Sequence, residues 1–217
     1  MSKIALSGDA SGTGTFTIAS PNSNSNYTLT LPQVTTTVVG TDATQTLTNK
    51  TLGSGLVMGA SAITSGTSQA STSGTSIDFT GIPSWVKRIT VMLNGISKSG
   101  TANFLVQLGT SGGVTTTGYV AKAGYVGSGG TGGVSSTSGF PTGGDAAGTI
   151  FVSGAFVFTN VSGNIWVGAL SASTDPNNYS VCGGGTVTLS GTLDRVRITT
   201  TNGTDTFDAG SINILYE

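Results

Sequence analysis

Carboxylates are the side chains of this chain that could carry catalysis, because its 217 residues include no histidine and one cysteine. Two carboxylates that converge in a groove can hydrolyse a glycosidic bond. The aspartates are scattered along the sequence, and two of them follow an Asn-Gly step that is typical of a hairpin turn. The candidates are Asp78, Asp145, Asp175, Asp194, Asp205 and Asp208. We therefore expect no catalytic pair, and the sequence predicts a protein that is not an enzyme.

Other reactive or ligand-binding patterns are also missing. Cys182 cannot form an internal disulfide and has no histidine that could activate it, so we interpret it as a small buried side chain. No spacing matches a metal site, including that of an EF-hand loop. The glycine run 127–133 lacks the Lys-Ser/Thr ending and the following helix of a phosphate-binding loop, and we interpret it as a flexible surface loop. The sequence predicts no metal and no cofactor.

The charge pattern argues against nucleic acid as a partner. Eight basic and nine acidic residues give a net charge of −1. The basic groups Lys87-Arg88 and Arg195 with Arg197 are too few for a basic stripe, and we interpret them as solvated strand faces. The N-terminus lacks the apolar core of a signal peptide, and no apolar run is long enough for a transmembrane helix. We expect neither a nucleic-acid partner nor a membrane span.

Aromatic residues are the remaining candidates for recognition. Tyr119, Tyr125 and Phe140 lie in a stretch rich in glycine, serine and threonine, residues 109–148. Exposed residues of such segments often carry binding, so these three are candidates for receptor contact. Core packing is the alternative for each of them, and it is the one that the sequence favours. Trp85 follows a proline turn and is interpreted as a packing residue.

Alternating apolar residues predict an all-β chain of three parts. Residues 1–40 predict a small β-meander with too few large apolar residues to be stable alone, so we expect it to dock on another chain. Residues 41–74 predict an extended arm or linker, with Leu47, Leu52 and Leu56 as docking anchors on neighbouring subunits. Residues 75–217 predict about eight longer strands joined by hairpin-like turns. That last pattern is typical of an antiparallel β-sandwich head of jelly-roll type.

Three stretches within the first hundred residues carry a family resemblance. Residues 11–22 read SGTGTFTIASPN and run on to YTLTLP at 27–32, residues 44–52 read TQTLTNKTL, and residues 77–91 read IDFTGIPSWVKRITV. They resemble segments of bacteriophage tail fibres and related virion surface fibres. The resemblance implies a homotrimer without a cofactor. A tail fibre usually carries a dedicated N-terminal virion-binding domain and a long shaft, and this chain departs from that pattern.

Three functions follow from these observations as expectations. The first is a short trimeric tail fibre that binds a glycan or protein of the host surface through its C-terminal head. The second is a capsid decoration or cement protein whose arm locks neighbouring capsid subunits together. The third, which the missing histidine and scattered carboxylates disfavour, is a tailspike enzyme that degrades polysaccharide. In each case we expect a protein of the virion surface, assembled in the host cytoplasm, with other tail or capsid proteins as partners.

Overall fold

The computed structural model of the protein describes residues 11–15, 17, 22–26, 28 and 63–217. The chain divides into two units, Met1–Gly55 and Leu56–Glu217. In the first unit the described residues are exposed and are either polar or glycine. The apolar residues of the predicted meander 1–40 lie outside the described residues. The same holds for most of the predicted arm 41–74, including its anchors Leu47, Leu52 and Leu56.

The second unit is built from β-strands. In chain order the first seven are β1 (Thr64–Ser65), β2 (Gln69–Ala70), β3 (Ile77–Phe79), β4 (Arg88–Lys98), β5 (Phe104–Thr110), β6 (Gly113–Val114) and β7 (Val120–Gly127). The next seven are β8 (Gly130–Ser136), β9 (Phe140–Pro141), β10 (Phe151–Ser162), β11 (Ile165–Asp175), β12 (Tyr179–Thr188), β13 (Arg195–Thr200) and β14 (Phe207–Tyr216). Among the described residues, no helix is long and apolar enough to cross a membrane.

The strands form two antiparallel sheets. The large sheet has the order β1-β14-β4-β10-β11-β12-β7-β8, with β2 also on β14. The small sheet has the order β3-β13-β5-β6, with β9 also on β5. The chain passes between the sheets from β3 to β4 to β5, again from β9 to β10, and again from β13 to β14. Two antiparallel layers joined in this way form a β-sandwich. The structure thus confirms the predicted all-β antiparallel sandwich.

The core lies between the two sheets and follows the period of two in the sequence. On β11, Trp166 is 3% exposed, while its neighbours Ile165 and Val167 are 39% and 40% exposed. The rings of Phe156 and Phe158 on β10 stack with centroids 5.7 Å apart in the same core. Because successive side chains of a strand point to opposite faces, each long strand gives one face to the core and one to the outside.

The head begins earlier in the chain than the predicted boundary at residue 75. Strands β1 and β2 both pair with β14, although their residues fall in the predicted arm 41–74. Ser71 is fully buried and its hydroxyl donates a 2.7 Å hydrogen bond to the carbonyl of Ala209. Backbone pairing and buried polar contacts hold this segment. A prediction based on apolar alternation could not find them.

Two further predictions about single residues are wrong. Cys182 is exposed, because the alternation along β12 turns Val181 to the core and Cys182 to the outer face. Trp85 is 56% exposed, because it lies in the surface connection before β4, where its ring packs against Tyr216 at a centroid distance of 6.0 Å. The connection runs over the surface and leaves most of the indole open to solvent.

Candidate functional site

A cleft of about 340 Å³ opens in the head where four segments meet. These are the β7–β8 hairpin, the loop between β9 and β10, the turn between β11 and β12, and the connection from β4 to β5. The residues that line it are Asn103, Tyr125, Gly133, Val134, Gly143, Gly144, Ala146, Ala147, Ile150, Asn177 and Tyr179. All of these are uncharged. The lining is therefore a mixture of aromatic surface, small side chains and amide groups.

Two tyrosines form the aromatic part of the cleft. Tyr125 lies on β7 opposite Val181 of β12, and Tyr179 lies on β12 opposite Gly127 of β7. The two rings are 4.8 Å apart between centroids and are tilted by 53°. Such a tilted arrangement suits the quadrupoles of both rings. Both side chains are half-buried, so each supports the other and still presents surface to the cleft.

Glycines of the β7–β8 hairpin make room for these rings. A Cβ at Gly132 would lie 2.3 Å from the hydroxyl oxygen of Tyr125, and one at Gly129 would lie 2.4 Å from that of Tyr179. Gly144, with a φ of 71°, also lies against both rings, since a Cβ there would be 3.0 Å from Tyr179 and 3.1 Å from Tyr125. The run 127–133, interpreted as a flexible loop, is instead a paired hairpin. Because glycine has no side chain, Gly129 and Gly132 leave the space that the two tyrosine rings occupy.

Among the described residues, the four polar side chains that line the cleft form no hydrogen bonds that stabilise the fold. Within the described part of the chain, neither the hydroxyls of Tyr125 and Tyr179 nor the side-chain amides of Asn103 and Asn177 make a hydrogen bond. A ligand could therefore use these groups without breaking a contact of the protein. Tyrosine and asparagine offer both donors and acceptors, which suits a ligand rich in hydroxyl or amide groups.

Tyr119 and Phe140 have a different environment from Tyr125. Each is 1% exposed, and their rings meet edge to face with centroids 5.3 Å apart. The Tyr119 hydroxyl accepts a 2.9 Å hydrogen bond from the Leu108 amide and lies 3.0 Å from the Thr115 carbonyl. Burial raises the pKa of this hydroxyl above its usual value, which keeps it neutral. Both residues therefore belong to the core, the alternative that the sequence favoured, and Tyr125 is the one of the three candidates that is only half-buried.

A buried ion pair holds the loop that carries Gly144. Lys98 and Asp145 are both fully buried, with Nζ 3.2 Å from Oδ2. The Phe104 amide and the Thr142 hydroxyl also donate to that oxygen, at 3.0 and 2.9 Å. Lys98 further lies 4.3 Å from the centroid of the Phe104 ring. Asp145 is thus a structural residue that fixes the position of its neighbour Gly144 beside the tyrosines. Lys98 could not be predicted as the partner of Asp145, because nothing in the sequence pattern around it marks a buried charge.

Three of the other candidate carboxylates serve local structure at separate places. Asp78 accepts two hydrogen bonds from Arg197, at 2.7 and 2.8 Å. Asp194 pairs with Arg195 at 3.2 Å. Asp205 accepts from the Asn202 side chain and from the Ala102 amide, at 2.8 and 2.9 Å. Among the described residues, no group of three or more histidine, cysteine or acidic side chains could hold a metal ion.

The outer face of the large sheet is a second surface of interest. Its large exposed apolar side chains are Val120, Val126, Phe151, Val157, Val161, Ile165 and Val167. In register with them lie small uncharged residues, such as Ala169 opposite Val157, and also two exposed charged residues, Asp175 opposite Phe151 and Lys122 between Val120 and Val126. A row of this kind across several strands is a common feature of protein interfaces.

The fold and the site together define an all-β antiparallel sandwich with an uncharged, aromatic-lined cleft. In comparisons with known proteins, no protein-family model, no curated protein and no solved structure matches the chain.

Proposed function

We propose that this chain is a structural protein of a bacteriophage virion surface, a short trimeric fibre whose head binds the host. The main support for host binding is the composition of the cleft. The cleft presents a pair of half-buried tyrosines and unused hydrogen-bonding groups, and its described lining contains no carboxylate, histidine, lysine or cysteine. An aromatic, uncharged cleft with a few polar groups is typical of a ligand-binding site. The fibre-like segments of the sequence support the location on the virion.

The outer face of the large sheet supports the trimer. Seven neighbouring strands run from β14 to β8 in that sheet. At a strand spacing of about 4.8 Å and a rise of about 3.3 Å per residue, seven strands of about eight residues cover on the order of 900 Å². A stable interface buries about 800 Å² on each partner. The face is thus large enough to be covered by other copies of the chain, and its exposed apolar side chains favour such a contact.

Electron microscopy of virions that carry a gold-labelled copy of the full chain tests the location. We expect label at the tail. Label over the head would replace the fibre with a capsid decoration protein, and virions without label would overturn both functions.

An adsorption assay tests the host-binding role. Purified full-length protein, added to host cells before the phage, should lower the rate of adsorption because it occupies the same receptors. The matched control is the Tyr179→Ala variant, which should compete poorly. Unchanged adsorption at saturating wild-type protein would contradict host binding by the head.

A further inference from the structure

We propose that the cleft binds a neutral sugar, with one pyranose ring packed against the Tyr125–Tyr179 pair. The inference rests on the proposed host-binding function and names the chemical class of its ligand. A pyranose has an apolar face of C–H groups and a rim of hydroxyls. The cleft has the matching surfaces, aromatic rings beside free hydroxyl and amide groups. Tyrosine suits this task because one end of it is apolar and the other polar.

The charge of the lining selects a neutral ligand. None of the eleven described residues that line the cleft is acidic or basic. The nearest carboxylate in the loop, Asp145, is buried and paired with Lys98. An anionic sugar, a phosphate or a sulfate would lose its hydration without gaining a cationic partner, which makes its binding unfavourable. The cleft therefore favours neutral hexoses or N-acetylhexosamines over uronic or sialic acids.

The size of the cleft selects a small unit. Its volume of about 340 Å³ lies near the lower end of the range of about 300–1,000 Å³ that is usual for ligand sites. One or two sugar rings suit such a volume, and the rest of a longer glycan would extend into solvent. A peptide side chain could also enter, but it would leave most of the four free polar groups without partners, at a cost in affinity.

The walls of the cleft are held in place before any ligand arrives. The Lys98–Asp145 pair fixes the loop that carries Gly144, and the paired β7–β8 hairpin fixes Tyr125. Little conformational entropy is then lost on binding, which favours the recognition of a ligand as small as a single sugar.

The test is saturation-transfer NMR and titration of the full-length protein with a defined set of sugars. The neutral set is glucose, galactose and N-acetylglucosamine, and the anionic set is glucuronic acid and N-acetylneuraminic acid. We expect saturation of the ring protons of at least one neutral sugar. Tyr179→Ala should lower that affinity about tenfold, and Tyr179→Phe, which keeps the ring, should lower it less. Asn177→Ala should also weaken binding. Its matched control is Asn164→Ala, since Asn164 precedes β11 and lies at the opposite end of that strand from Asn177.

The possible results separate a failure of the sugar-binding inference from a failure of the proposed host-binding function. Binding of a neutral sugar that Asn177→Ala weakens and Asn164→Ala does not would support the inference. Stronger binding of the anionic set would overturn it, as would affinity unchanged by Tyr179→Ala. If no sugar of either set binds while the protein still competes with phage adsorption, the sugar inference fails and host binding stands. If a sugar binds but adsorption is unchanged, the host-binding role fails instead.

Discussion

Asp145 illustrates how a single buried charge can organise a site that it does not enter. Its Oδ2 accepts from Lys98, Phe104 and Thr142, whereas its Oδ1 has no partner among the described residues. Moving two charges out of water is costly, and their mutual attraction offsets that cost only when both partners are present. The pair is therefore best understood as a device that specifies the position of the loop beside the cleft.

Replacing Asp145 should show this dependence. In Asp145→Asn, the Lys98 ammonium stays buried without its counter-charge, and the free energy of unfolding should fall by about 3–5 kcal/mol. The double variant Lys98→Met with Asp145→Asn removes both charges and should regain a large part of that loss. Urea denaturation of the three proteins measures the difference. A loss below about 1 kcal/mol in the single variant would contradict a structural role for the pair.

The contribution of Asp205 to the stability of the fold should depend on pH. The Asn202 side chain and then the Ala102 amide hold the pKa of its carboxyl below the usual value, because both donate to the ionised form. A carboxyl whose pKa is lower in the folded state than in the unfolded state stabilises the fold at pH values above the unfolded-state pKa of about 3.9. This stabilisation is lost as the pH falls through the folded-state pKa. Asp205→Ala should therefore destabilise the protein at pH 7 more than at pH 2.5, as measured by denaturant titration at both values. Asp208→Ala is the control, since the exposed Asp208 carboxylate makes no side-chain hydrogen bond within the described residues. An equal loss at both pH values would remove the electrostatic explanation.

At the scale of the elements, glycine has a packing role in the β7–β8 hairpin. A methyl group at Gly132 would overlap the Tyr125 hydroxyl and ring, so the ring would have to move. Overpacking of this kind costs about 1–3 kcal/mol. We expect Gly132→Ala to lower the melting temperature and to change the near-ultraviolet circular dichroism of the tyrosines. Gly124→Ala is the matched control, because its Cβ would meet nothing closer than 3.6 Å. Equal behaviour of the two variants would contradict the role of Gly132 as a space for Tyr125.

The elements also explain how far the sequence could predict this fold. Strands with large apolar residues, such as β4, β10 and β11, follow the period of two and could be predicted. The hairpin of β7 and β8 could not be predicted, because β8 consists mostly of glycine and serine and shows no alternation of apolar and polar residues. The cleft shares this limit. Tyr125 could be proposed from its glycine-rich context, but Tyr179 joins it only through the register of β12 on β7.

At the scale of the whole molecule, the main unexplained feature is the outer face of the large sheet. Seven large apolar side chains are exposed on this one sheet face, and clustered apolar surface often marks a protein interface. Covering by other copies of the chain would bury Val157, Val167 and their neighbours and would explain their exposure in a single subunit. The sedimentation behaviour of the purified full-length chain at micromolar concentration should therefore be that of a trimer.

A charge placed on this face should prevent assembly without unfolding the subunit. Val157 is 36% exposed and points away from the core, so Val157→Lys leaves the interior unchanged. Burying the new ammonium against another subunit without a partner would be strongly unfavourable, and the trimer should dissociate. Thr117→Lys adds the same charge on an exposed loop and should remain trimeric. Circular dichroism separates dissociation from unfolding. A trimeric Val157→Lys protein would place the interface elsewhere, and a monomeric wild type would contradict the trimer itself.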